Sequence, residues 1–326
     1  MAHYAVYHIN ILESRQTAIN IAEESAEPIK QSSLEYFNKI LDSVLFGKFN
    51  VNTTKNNQII PLECAVVRKD EDVIVLLLCN EKSRSYDEKK SKEELIHHPG
   101  CYIIIDNRPG KSQLAIESNE AFNRNPDRVR DIIQDAINVR LREHQLEVDI
   151  RARLIPEGFW ESIDIQRNQG DTIRKVVFDF PDVKRVKNLN APVKIRERIA
   201  LLQSFAEMTK AIKGSLKLEA SKEDALRFEQ TQEDIAQMVY LCCNTGYGLA
   251  VSFKEYGLYR FGTDIRQYGN LKEETVKEFI SGTTSLGNDN GASFYLLHWL
   301  DLLTQASTNF KYEEITPKKR KRSSKK

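Results

Sequence analysis

The sequence predicts an α+β fold of mostly antiparallel sheets with packed helices, in two lobes followed by a disordered basic C-terminal tail. Three observations predict it. Apolar runs of strand length recur around charged or Pro/Gly turns, as at 61–80 and 101–118. A run with helical spacing, 126–141, passes into one that alternates strictly, 146–154, so strands and helices are mixed without a regular βαβ repeat. A polar, basic stretch broken by Pro192 then separates this block from a second mixed half. The expected division is therefore 1–183, 184–312 and a tail, 313–326.

In order, Ala5, Tyr7, Ile9 and Ile11 alternate with Val6, His8 and Asn10, an opening strand. Leu34, Phe37, Ile40, Leu41, Val44 and Leu45 recur at helical spacing, and Gly47 falls where such a helix stops. Two apolar runs around Lys69–Asp72 read as a hairpin. Residues 81–99 are a polar interruption, an exposed helix or a mobile insert. The runs 101–107 and 112–118 flank Arg108-Pro109-Gly110-Lys111, with Pro and Gly placed as a turn requires. Val129, Ile132, Ile133, Ala136, Ile137 and Leu141 mark a helix that Asn125 or Pro126 can start. After it Leu146, Val148, Ile150, Ala152 and Leu154 face inward, and Glu147, Asp149, Arg151 and Arg153 outward. Residues 162–167 and 172–181 read as further strands, the second ended by Pro181.

The second half opens with an amphipathic helix marked by Ile195, Ile199, Leu202, Phe205 and Met208. Residues 215–221 and 224–230 read as short strands or a helix-and-strand mixture, and 233–244 as a helix. Residues 248–262 form a hairpin with Gly257 near its turn. Two helices close the lobe, 272–282 and 293–305, with a flexible loop between.

Chemistry is hard to find in this pattern. No GxxxxGK[ST] or strand-linked GxGxxG is present, and Thr245-Gly246-Tyr247-Gly248 reads as a turn out of the preceding helix. The five cysteines form no CxxC pair and read as buried, reduced thiols. His97 and His98 are neighbours whose side chains diverge, a poor chelating pair, and His98 with Cys101 reads as a strand-entry turn. Asp149, Asp164 and Asp179 fall in three successive expected strands, the arrangement by which nucleases hold Mg²⁺. A metal-dependent nuclease effector is thus one alternative. Ion-paired carboxylates on a solvent-facing sheet are the plain reading of the same residues, and without the nuclease no cofactor is expected.

Charge is the stronger signal. The chain of 326 residues has a net charge of +1, but seven of its 48 Lys and Arg lie in 318–326, leaving 41 against 47 acidic residues elsewhere. Lys318, Lys319, Arg320, Lys321 and Arg322 form the core of this tail, and Lys184, Arg185, Lys187, Lys194, Arg196 and Arg198 form a second cluster. Arg124, Arg128, Arg130, Arg140, Arg142, Arg151 and Arg153 lie on or beside the central helix and strand. Arginine forks and lysine charges suit phosphates, so nucleic acid, DNA foremost, is the expected partner. A non-catalytic adaptor with a solubilising tail is the other alternative. No window approaches a membrane span, and the start lacks a secretion signal, so no membrane insertion and a cytoplasmic location are expected, nuclear in a eukaryotic host.

The opening strand Tyr4–Ile11, the central hairpin, and PDRVRDIIQDAINVRL followed by EVDIRARLIP resemble, in element order, the phage-exclusion RexA family and similar bacterial proteins. The resemblance covers roughly residues 1–180 and carries no diagnostic motif, so it transfers no site residue. It implies a DNA-binding, self-associating bacterial protein of anti-phage defence by abortive infection, working beside a partner protein encoded nearby, and no known enzyme.

Overall fold

The computed structural model describes residues 1–13, 37–55, 58–70, 72–80, 100–109, 111–180, 193–209, 214–221, 223–282 and 291–306. Its fold is α+β with antiparallel sheets, as the alternating runs predict. The first strand, β1 (Ala2–Glu13), organises the larger sheet. One edge of β1 pairs with β6 (Gln113–Glu117). The other edge is shared. Ala2–Ala5 pair with β12 (Tyr268–Leu271), and Tyr7–Glu13 pair with β7 (Leu146–Ala152). Beyond β6 the sheet runs through β5 (Gly100–Asp106), β4 (Val73–Cys79), β3 (Gln58–Lys69) and β2 (Lys48–Lys55).

Strand alternation sends successive residues to opposite faces of this sheet, and both faces are covered. On one face α1 (Phe37–Val44) and α2 (Pro126–Leu141) pack over Ala5, Tyr7, Ile9 and Ile11. Asn125 caps α2 by accepting from the Arg128 backbone N–H at 3.3 Å, with Pro126 in the first turn. The predicted stripe from Val129 to Leu141 is buried, each large side chain stabilising by about 1.5–3 kcal/mol before entropy is counted. On the other face α6 (Glu273–Ser281) and α7 (Gly291–Ala306) pack over Ala2, Tyr4, Val75 and Ile104.

A second, four-stranded sheet has the order β11 (Leu258–Arg260), β10 (Gly248–Phe253), β8 (Ile173–Phe180), β9 (Gly214–Glu219). Its core combines Val176, Phe178 and Phe180 with residues of α3 (Pro156–Asn168), α4 (Val193–Thr209) and α5 (Glu233–Thr245).

Three expectations change. Residues 162–167 belong to helix α3, which Pro156 opens and whose Phe159, Trp160 and Ile163 are buried at helical spacing. On α4, Ile195 and Ile199 are buried, but Phe205 and Met208 are exposed. The sheets also draw strands from both sides of residue 183: β8 lies in the second sheet and β12 in the first. Pairing partners, not the composition shift, set which strands share a core.

Candidate functional site

Helix α5 ends at Gly246, whose φ of +69° turns the chain into β10 while its N–H bonds back to Cys242 O. This turn is pressed against β7. A Cβ on Gly246 would stand 2.4 Å from Arg151 Cβ and 2.7 Å from the Ala152 carbonyl oxygen. Between the turn, β7 and α2 lies a cleft of about 300 Å³, with Arg130, Asp131, Asp149, Arg151 and Tyr247 on its walls.

The two cations of this cleft are already matched. Arg130 meets Asp131 at 2.7 Å and Asp127 at 3.3 Å, and Arg151 meets Asp149 at 2.6 Å. Asp127 in turn accepts from Arg266 at 2.7 Å and from the Tyr7 hydroxyl at 3.1 Å. Burial raises the Tyr247 and Tyr7 phenols above their ordinary range, so neither serves as a base near neutrality. Among the described residues the walls are polar but nearly neutral, and they hold no nucleophile paired with a base.

Beside the cleft a chain of polar contacts crosses the molecule. Arg153 donates to Asn244 at 2.6 Å and to Gln113 at 3.1 Å. Gln113 donates to Asp106 at 2.8 Å, and Arg108 forks between Asp106 and Asp301 of α7. His8 is held neutral at ordinary pH, its pKa lowered to about 3 by burial and then by the charge of Arg153.

The sequence candidates scatter over this frame. Asp149 is on β7 within the cleft, Asp164 is exposed on α3 beside Arg167, and Asp179 is exposed on β8. The three-strand carboxylate arrangement is therefore corrected: Asp164 is helical, and among the described residues no three Asp, Glu, His or Cys side chains gather to hold a metal ion. Lys318, Lys319, Arg320, Lys321, Arg322, Lys184, Arg185 and Lys187 lie outside the described residues, as do the side chains of Lys194 and Arg196 on α4. Arg198 is exposed and paired with Asp234.

Around the central helix Arg124 pairs with Glu120, and Arg140 stacks over Phe49. Arg153, expected to face solvent, is buried. The reason is that α5 covers this face of the sheet, where Asn244 accepts from the guanidinium and the Thr245 carbonyl accepts from Asn10. His98 lies outside the described residues, and Cys101 is a buried thiol raised well above its ordinary value by burial, donating to the Glu117 carbonyl. Asn244, Gln113 and Arg266 were not legible as site residues, because strand pairing brings Gln113 and Arg266 to this seam and the packing of α5 brings Asn244.

No protein-family model, curated protein or solved structure matches the chain. No described helix is long and apolar enough to cross a membrane.

Proposed function

We propose that this chain is a cytoplasmic nucleic-acid-binding protein, DNA foremost, that grips phosphates through Lys318–Arg322 and the cluster Lys184, Arg185, Lys187, Lys194, Arg196 and Arg198. The observation that carries this reading is the segregation of charge. Residues 318–326 hold seven basic side chains and no acidic one, whereas the remaining chain has 41 basic against 47 acidic residues. Such an arm attracts a polyanion without the folded body being basic.

The state of the body's arginines supports the same assignment. In the rest of the body Arg108, Arg124, Arg130, Arg151 and Arg266 each engage a carboxylate, and Arg153 is buried. These side chains would have to abandon existing partners to reach phosphates, so the arm is the more available contact. Contacts of this kind position a protein on nucleic acid without reading its sequence. The resemblance in element order to phage-exclusion proteins supports a place in bacterial defence against phage, beside a partner protein.

The test is fluorescence anisotropy with single-stranded DNA, duplex DNA and RNA, using the whole chain and a chain lacking 317–326. Five phosphate contacts predict an affinity loss of roughly several hundredfold between 50 and 200 mM salt. Truncation is expected to abolish most binding and flatten the salt dependence. Equal affinity of the truncated chain would remove the arm from the proposal.

A further inference from the structure

The fold treats its open strand edges in two ways. β7 is bordered on its outer side by α2, whose side chains stand in for a missing strand. Asn138 donates to the Val148 carbonyl and accepts from its N–H, and Gln134 accepts from the Ile150 N–H. That edge is satisfied within the chain. β9 is different. It is the last strand of the four-stranded sheet, and the Ala220 N–H bonds inward to the Arg174 carbonyl. In an antiparallel ladder the inward groups alternate, so Leu218 and Leu216 also bond toward β8. The backbone groups of Ser215, Lys217 and Glu219 therefore point outward, and among the described residues no strand receives them.

Exposed apolar surface accompanies this edge. Leu216 packs against the core of the second sheet, and Leu218, on the same face, is 37% exposed. Helix α4 buries Ile195 and Ile199 in that core. Its Leu201, Phe205 and Met208, one stripe at helical spacing, are 60%, 54% and 73% exposed. Residues 210–213 alone join α4 to β9, which keeps the end of the helix at Thr209 within about 18 Å of the strand's start at Gly214.

We propose that the occupant of this surface is a second copy of the chain, paired antiparallel along β9 about a two-fold axis at Leu218. The charges select both the partner and the register. With Leu218 opposite Leu218 of the second copy, Lys217 faces Glu219 and Glu219 faces Lys217, and these are the outward-bonding positions. An axis at Lys217 or Glu219 sets like charges against each other. An axis at Leu216 sets Lys217 against Ser215 and Glu219 against Lys213, so Lys217 is left without an opposite charge across the join. Within one chain Lys217 and Glu219 already form an ion pair on the solvent face of the sheet. An edge protected against pairing carries one sign of charge, whereas this edge is complementary to itself. Pairing joins two four-stranded sheets into one of eight strands, and the α4 stripes cover the join on its helical face.

The proposal is independent of nucleic-acid binding, so its test uses the full chain freed of nucleic acid by nuclease treatment. Sedimentation and light scattering of the wild type at about 10 µM are expected to show a dimer. Lys217→Glu and Glu219→Lys each convert two cross-strand pairs to like charge, and each is expected to weaken the dimer about tenfold or more. An equimolar mixture of the two single variants restores complementarity and is expected to dimerise, as is the double variant carrying both changes. Because the two side chains are exposed, circular dichroism should show an unaltered fold in every variant. A monomeric wild type overturns the proposal, as do single variants that dimerise like the wild type. Single variants that stay monomeric when mixed overturn the register and with it the proposal.

Discussion

Arg153 donates to Asn244 across the seam between the two sheets, Nη2 to Oδ1 at 2.6 Å, and its second fork reaches Gln113 at 3.1 Å. Among the described residues no carboxylate pairs with this buried guanidinium, and its Nε has no partner. The charge is thus held by neutral amides alone, and burial lowers its affinity for the proton. Shape matters here at least as much as charge.

Replacing Arg153 by Ala opens a cavity and strands two buried amide oxygens, with an expected cost of about 3–5 kcal/mol. Arg153→Met removes the same two donors but restores much of the volume, and is expected to cost about 1–2 kcal/mol less than the Ala variant. Urea midpoints of the two variants measure the difference. Equal losses would show that the charge, not the packing, is what the seam requires.

The same guanidinium sets a pH dependence. Burial and Arg153 lower His8 from 6.5 to about 3, so between these values the unfolded chain binds a proton that the folded chain refuses. Stability contributed by His8 neutrality is full above pH 6.5 and is lost as pH falls through that window. From pH 7 to pH 5 the wild type is expected to lose about 2 kcal/mol. His8→Gln should remove most of that loss when denaturant midpoints are compared at the two pH values.

Gly246 and Gly257 both hold positive φ, +69° and +88°, but their surroundings differ. A side chain at Gly246 collides with β7, whereas nothing lies within 4 Å of a Cβ at Gly257. Gly257→Ala is expected to cost about 1 kcal/mol, the backbone penalty alone. Gly246→Ala should cost at least about 2 kcal/mol more, by displacing the turn from Arg151. Thermal unfolding of both variants tests it, and comparable losses would contradict the close approach.

Local patterns carried much of this fold. The Lys69–Asp72 turn joins β3 to β4, Asn125 caps α2, and Gly257 turns β10 into β11, each recognisable from a few neighbouring residues. The failures share a cause. Ile163, Asp164 and Ile165 imitate strand alternation, but Pro156 and the spacing of Phe159, Trp160 and Ile163 favour a helix, which leaves Ile165 exposed. β2 and β12 carry few apolar residues and owe their strand form to ladders with β3 and β1. The seam was less legible still. Residue 153 meets residue 244 only because β7 and α5 converge, and no local property of either residue announces it.

Arg108 supplies a last and separable prediction, because it alone among these arginines clamps two carboxylates from different elements. It meets Asp106 of β5 at 2.7 Å and Asp301 of α7 at 2.8 Å, and Lys111 joins Asp301 at 2.9 Å. Asp106 is fully buried, so Arg108→Ala leaves a buried carboxylate short of its cation and unties α7 from the sheet. The expected loss is about 3 kcal/mol. Arg108→Lys keeps the charge without the planar fork and should fall between. Hydrogen exchange should report the loss first in α7. Acid acts on the same clamp. Arg108 and Lys111 hold the Asp301 carboxyl below its ordinary range, so its contribution is complete above about pH 4 and disappears as pH falls through the lowered value. If α7 exchanges no faster in Arg108→Ala than in the wild type, apolar packing by Leu296 and Leu300 holds the helix and the clamp is dispensable.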